Sequence, residues 1–430
     1  MKRLIKFAAA GAGLFAAGPA FAQEATPTLS SGDTAWMMVS TVLVLAMIVP
    51  GLALFYGGLV RTKNMLSVLT HVLAVACVAM LAWVTWGYSL AFDEGSAFIG
   101  GTSKLLLAGI TPDTLSGTIP EFVFVSFQMT FAAITCALIV GALAERVKFT
   151  ALMIFSLIWL TIVYFPLAHM VWASGGYFFE MGALDFAGGT VVHINAGVSG
   201  LVGCILLGKR IGYQKEALAP HSMTMTLIGT GLLWVGWFGF NAGSALAANG
   251  TAALAMINTF TATAAGAVAW LLAERVAGHK SSLLGACSGV ISGLVAVTPA
   301  AGNAGPFGAI VLGAVASIAA FWFVTSLKPR LGFDDTADVF GIHGVAGIVG
   351  SILTAVTYAP AFGGPGDADY AIGGQMVTQI FATGVAVVWA AVGSAIAFGA
   401  VKAVIGLRVA EEVEREGLDL GEHGERAYNY

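Results

Sequence analysis

Two segments of the chain place an Asp, a His eight residues later, and glycines four and seven residues after the His. One runs through Asp185, His193, Gly197 and Gly200, the other through Asp335, His343, Gly347 and Gly350, at a separation of 150 residues. Each His lies in an apolar run of bilayer-spanning length, where an ionisable side chain is costly and points to function. Matching positions in two such runs argue for one paired site. Two neutral imidazoles can pass a hydrogen bond or a proton between them, whereas two cations that close in a low dielectric repel. A pair of structural histidines, each satisfied by a backbone carbonyl, is the plainer alternative. A metal site is not expected, because no third ligand has suitable spacing. Asp185 and Asp335 stand where their helices begin, so each can satisfy orphan N–H groups and complement the helix dipole. Asp185, followed by Gly188 and Gly189, could also add negative potential for an entering cation, whereas for Asp335 capping alone is expected.

Aromatic residues are the second set that could do chemistry. Phe127, Phe131, Trp172, Trp237 and Phe240 fall in or at the ends of apolar runs. Most membrane aromatics pack cores or sit at the interface, but a few converging rings make a cation–π site. Ser244, four residues after Phe240, shares its helical face and could accept a hydrogen bond from a bound cation.

The elements that must position these residues are transmembrane helices. Hydrophobic residues make up 58% of the chain and charged ones 10%, against about 45–50% and about 25% in soluble domains. A soluble globular protein is excluded. The 56 glycines suit helices packed closely through small residues. Cys77, Cys136, Cys204 and Cys287 lie in apolar runs without metal-site spacing and are expected to be buried thiols. Lys2, Arg3 and Lys6 precede an apolar stretch and a small-residue sequence ending at Ala22, so residues 1–22 are expected to be a cleavable secretory signal. An uncleaved anchor is the alternative, for which the run is short.

Eleven spans follow, near 35–60, 65–92, 121–144, 149–172, 188–208, 222–248, 252–273, 281–298, 305–327, 338–358 and 373–402. Arg61 and Lys63, Arg146 and Lys148, Lys209, Arg210 and Lys215, Arg275 and Lys280, and Lys328 and Arg330 fall in alternate loops. By the positive-inside rule this puts the N-terminus outside and the C-terminus in the cytoplasm. The two histidines then sit on spans five and ten, which cross in opposite directions. PGLALFYGG of span one also echoes GWFGFNAGS of span six. The expected fold is therefore all-α and polytopic, with two inverted five-helix repeats and an eleventh helix, a design of transport proteins whose site lies at the repeat interface. Residues 23–402 form the membrane domain and residues 403–430 a charged tail. With no nucleotide loop or nucleophile–base set, an enzyme, a cofactor and a nucleic-acid partner are not expected.

The motifs FQMTFAAITCALIVGALAER, PLAHMVW, DFAGGTVVHINAG, GWFGFNAGSA and DDTADVFGIHGVAGIVG, with FYGGLVRTKN before them, resemble those of the ammonium transporter/methylammonium permease/Rhesus family, in the family's order. The resemblance implies an eleven-helix bundle assembled as a homotrimer with one pore per subunit. It implies an outer ammonium site at Phe127, Phe131, Trp172 and Ser244, and a gate of Phe131 stacked on Phe240. His193 and His343 would be the paired pore histidines, and Asp185 the acid supporting recruitment and deprotonation. Trp172 and Ser244 favour an ammonium transporter over a Rhesus-type channel passing ammonia or carbon dioxide. The tail resembles a segment that contributes to binding the nitrogen-regulatory protein PII, and an ammonium sensor signalling through it is a further alternative. Transport of ammonium and methylammonium across the bacterial inner membrane is the expectation.

Overall fold

The computed structural model of the protein describes residues 28–428; the expected signal segment, residues 1–22, lies outside them. Among the described residues eleven helices are long and apolar enough to cross a membrane: Ser31–Leu59, Thr62–Phe92, Glu121–Leu143, Phe149–Glu180, Gly189–Leu207, Met223–Gly243, Gly250–Val276, Leu283–Ala300, Pro306–Leu331, Phe340–Thr357 and Ile372–Val404. We number them spans 1 to 11. Charged residues gather in the connections, because a backbone in hydrocarbon must satisfy its own hydrogen bonds while a charge there finds no solvation. Span 6 ends sooner than its apolar run, at Gly243 with Ser244 as the helix cap, and span 4 runs on to Glu180 past a turn at 173–176.

The bundle is built around two helix crossings, each between spans that are partners under the inversion. Spans 5 and 10 meet at Gly197, where an added Cβ would overlap the backbone of Gly344. Spans 1 and 6 meet at Gly229, where a Cβ would overlap the backbone of Phe55. Only glycine lets two helix backbones approach this closely, and packing without an intervening side-chain layer is how helices associate tightly in lipid. Matching irregularities mark the same relation. Span 5 opens with a π-helical segment, Gly189–Ile194, and span 10 with another, Phe340–Val345, so both histidines lie in widened turns. Spans 4 and 9 also carry a five-residue π segment each, at Leu160–Tyr164 and Phe323–Leu327.

At the basic end of the bundle, buried ion pairs tie four connections together. Arg61 pairs with Glu145 at 2.7 Å, Glu145 with Arg210 at 3.4 Å, and Arg210 with Asp334 at 2.8 Å. Arg146, fully buried, donates to the carbonyls of Gly208 and Asp334. The charged tail is part of this end, not loose in solvent. Its helices Glu411–Glu416 and Leu418–His423 bring Glu414 to Arg408 (2.7 Å) and to the Ile211 N–H, and Asp419 to the N–H groups of Leu66 and Ser67 at the start of span 2. Many of its charges thus cap helix ends and pair with bases, which uniform solvation would not require. Cys136, Cys204 and Cys287 are buried as expected, but Cys77 is exposed. An apolar run does not tell a core-facing position from one that faces lipid.

Candidate functional site

At the end opposite the basic loops, a cavity of about 150 Å³ is lined by Phe92, Phe124, Gln128, Phe131, Trp172, Phe186, Ser244 and Leu246. Three of the residues singled out from sequence therefore meet here: Phe131, Trp172 and Ser244. The fourth, Phe127, is fully buried behind the wall, its ring 4.9 Å from that of Phe131. The Ser244 hydroxyl donates to the Phe240 carbonyl at 2.9 Å, which spends its hydrogen and leaves oxygen lone pairs to accept. Trp172 donates its indole N–H to the Asp185 carbonyl at 3.0 Å, fixing the ring that walls the cavity.

Gln128 had escaped the sequence reading. Its Oε1 is buried and has no hydrogen-bond partner among the described residues, and the side chain lines the cavity. An amide oxygen left unbonded in an apolar site is costly, and it suits a donor-rich guest. The sequence signal was the one amide side chain in the apolar run of span 3, one position after Phe127 and three before Phe131.

Below the cavity Phe131 and Phe240 stack with ring centroids 4.2 Å apart and close the path. Beneath them lies a small space of about 10 Å³ lined by Met47, Leu52, Phe55, Ile134, Leu138, Leu233, Trp237, Ile291 and the two histidines. That is close to the roughly 10–15 Å³ needed for one water-sized molecule. His193 Nδ1 and His343 Nδ1 stand 3.2 Å apart, with ring planes inclined by 21°. One Nδ1 must donate and the other accept, so the pair shares a single hydrogen. His193 Nε2 is buried and without a partner among the described residues. On its other side the His193 ring stacks against Trp237, at 5.3 Å between centroids and 20° between planes.

Asp185 does not line the cavity. Its carboxylate takes the N–H groups of Gly188, Gly189, Thr190 and Val191 at 2.6–3.1 Å, wrapping the start of span 5. Burial pushes this carboxyl above the ordinary carboxylate range, while those four N–H groups pull it back. Asp335 does the same at span 10 with two, Val339 and Phe340. Burial pushes Asp335 up to about 6, against the opposing charge of Lys328. Among the described residues no group of three or more His, Cys, Asp or Glu could hold a metal ion.

Comparison with known proteins converges on one assignment. An ammonium transporter of Aquifex aeolicus is 46% identical over 414 residues, covering 95% of this chain and 96% of that one. The crystal structure of Candida albicans Mep2 superposes with a TM-score of 0.83 at 35% identity, over 90% of this chain and 88% of the other. A solved sensor Amt protein gives 0.84 at 26% identity, over 91% and 98%. Residues 35–428 match the Ammonium Transporter Family as a whole, and the chain belongs to that family.

Proposed function

We propose that this protein takes up ammonium selectively across the bacterial cytoplasmic membrane, with its basic end in the cytoplasm and the aromatic cavity facing out. Ammonium enters the cavity, where the rings of Phe131 and Trp172 offer cation–π contact and Ser244 and Gln128 offer acceptors. Phe127 supports Phe131 from behind, and the Phe131–Phe240 stack is the gate. The cation gives up its proton above the gate. Ammonia then passes the histidine pair, and the proton follows a separate path assisted by His193 and His343. Asp185 serves by holding the start of span 5 and, through its carbonyl, Trp172. Methylammonium is carried as an analogue. Residues 1–22 are removed as a signal, and the chain works as a homotrimer with one pore per subunit. The docked tail, residues 403–430, is the face for the regulatory protein PII.

The observation that carries this reading is the histidine pair, held 3.2 Å apart in a mainly apolar-lined space of about 10 Å³. A bare cation there would lose its hydration against apolar walls, at a cost of many kcal/mol. A neutral amine loses far less and finds nitrogen partners. Two imidazoles sharing one hydrogen can hand a proton on without both becoming charged. The test is ammonium-evoked current in liposomes reconstituted with His193→Ala or His343→Ala protein, beside methylammonium uptake in cells lacking other carriers. We expect both variants to lose most of the current. Full current in either sinks the relay. The likeness to a sensor Amt protein gives the second reading, an ammonium sensor, which absence of any uptake by correctly inserted wild-type protein would favour.

A further inference from the structure

His193 is held by more than its partner histidine. Its ring lies flat against Trp237, which is almost completely buried and itself sits 5.6 Å from the Phe240 ring. A stacked indole fixes the imidazole only if the indole is fixed. Trp237 donates its ring N–H to Thr298 Oγ1 at 2.9 Å. Thr298 is fully buried where span 8 tightens into the turn Thr298–Ala300. Its own hydroxyl hydrogen is already committed to the Leu294 carbonyl at 2.8 Å. With that hydrogen spent, a lone pair of Oγ1 faces the indole, so the hydroxyl has one orientation and the Trp237 plane follows from it.

The next residue braces the same histidine from its backbone. Pro299 packs against Gly189, the first residue of the π segment that carries His193, closely enough that a Cβ on Gly189 would overlap its ring. The Pro299 carbonyl accepts the Phe186 N–H at 3.1 Å, holding the loop before that segment. Two adjacent residues of span 8 thus hold both the ring that stacks His193 and the turn from which His193 projects. Among the described residues no equivalent stacked indole lies against His343, whose ring contact is with His193.

We infer that Thr298 is a positioning residue for transport: through its hydrogen bond to Trp237 it sets the plane of His193, and so the alignment of the two Nδ1 atoms across which the pair shares its hydrogen. This rests on the histidine relay proposed above. Thr298 lines neither the aromatic cavity nor the space beside the histidines, so its loss should change passage and not capture.

The test uses Thr298→Val, which keeps the shape and removes the acceptor, and Trp237→Phe, which keeps an aromatic ring and removes the N–H. Thr298→Ser and the Thr298→Val/Trp237→Phe double variant complete the set, all reconstituted as full-length protein. Each single variant should lower the maximal ammonium-evoked current about tenfold, the scale of one buried hydrogen bond, with half-saturation unchanged. The double variant should be no worse than the weaker single one, because both remove the same bond. Thr298→Ser should restore the wild-type current. Wild-type current in Trp237→Phe, or losses that multiply in the double variant, would overturn the assignment, and Trp237→Phe decides the matter if Thr298→Val does not fold. His193→Ala measured alongside separates the two levels. If it keeps full current the relay itself has failed, whereas its loss with an unaffected Trp237→Phe refutes Thr298 alone.

Discussion

The two histidine helices start from the same pattern and are finished differently. At span 5 the Asp185 carboxylate gathers four backbone N–H groups and its carbonyl holds Trp172. At span 10 Asp335 gathers two, and its carbonyl receives Lys328 Nζ at 2.8 Å. Inversion explains the shared scaffold and not the difference. What surrounds each acid depends on which end of the bundle it meets. One start leads into an aromatic cavity, and the other is locked into a belt of ion pairs. A repeat can keep its capping chemistry while each copy takes on a separate task.

The strongest way to break this comparison is to remove both acids in turn. Asp185→Ala leaves four buried N–H groups without an acceptor and loosens the start of span 5, from whose preceding backbone Trp172 is held. We expect it to cost at least about 3 kcal/mol and to abolish uptake, with Asp335→Ala costing about half as much. Thermal unfolding in detergent and methylammonium uptake read the two effects. Equal losses would mean that the extra bonds at span 5 carry no weight.

The glycines offer a second contrast. Gly197→Ala drives a methyl into the backbone of Gly344, whereas at Gly347 the nearest atoms stand 3.2 Å and more from an added Cβ and belong mainly to side chains. Gly197→Ala should therefore destabilise by about 3 kcal/mol or more and separate the histidines, and Gly347→Ala by about 1 kcal/mol. Assembly on size exclusion and ammonium-evoked current distinguish them.

A smaller effect separates the aromatic cavity from the histidine pair. Gln128→Leu and Ser244→Ala each remove one acceptor, so half-saturation for methylammonium should rise about fivefold with the maximal rate little changed. A loss of maximal rate alone would move these residues out of the capture step.

The smallest effect concerns two neighbouring acids. Burial pushes Asp334 up, but Arg210 and Arg146 outweigh it and hold the carboxyl below its usual range. Asp335 stands at about 6. Against an unfolded carboxylate near about 4, the contribution of Asp334 is complete above that value and is lost only in stronger acid. That of Asp335 has the opposite sign: it grows as pH falls through about 6 and is lost as pH rises. Acidification from pH 7 to pH 5 should raise the unfolding temperature slightly, and Asp335→Asn should flatten that rise.

The eleven spans were legible because a run of apolar residues and alternating basic loops report a physical necessity of the bilayer. The histidine pair was legible because an ionisable group in such a run has no cheap explanation. Side-chain facing was not legible, since in a uniformly apolar helix the periodic contrast between core and surface vanishes. Cys77 was misjudged for that reason. Thr298 was hidden because threonine in a membrane helix commonly bonds its own preceding turn, as Thr298 does with Leu294. Only the fold shows the second bond.

The glycine crossings bear on how this molecule moves. Helices that touch backbone to backbone have no layer of side chains to slide across, so tilting one half against the other would open gaps at both crossings at once. Turnover by rocking would have to break the very contacts that hold the bundle together. What could still move without breaking them is small: the ring of Phe131 stacked on Phe240, and the hydrogen between two nitrogens. On such a frame, any change of state would be confined to single groups and would leave the helices in place.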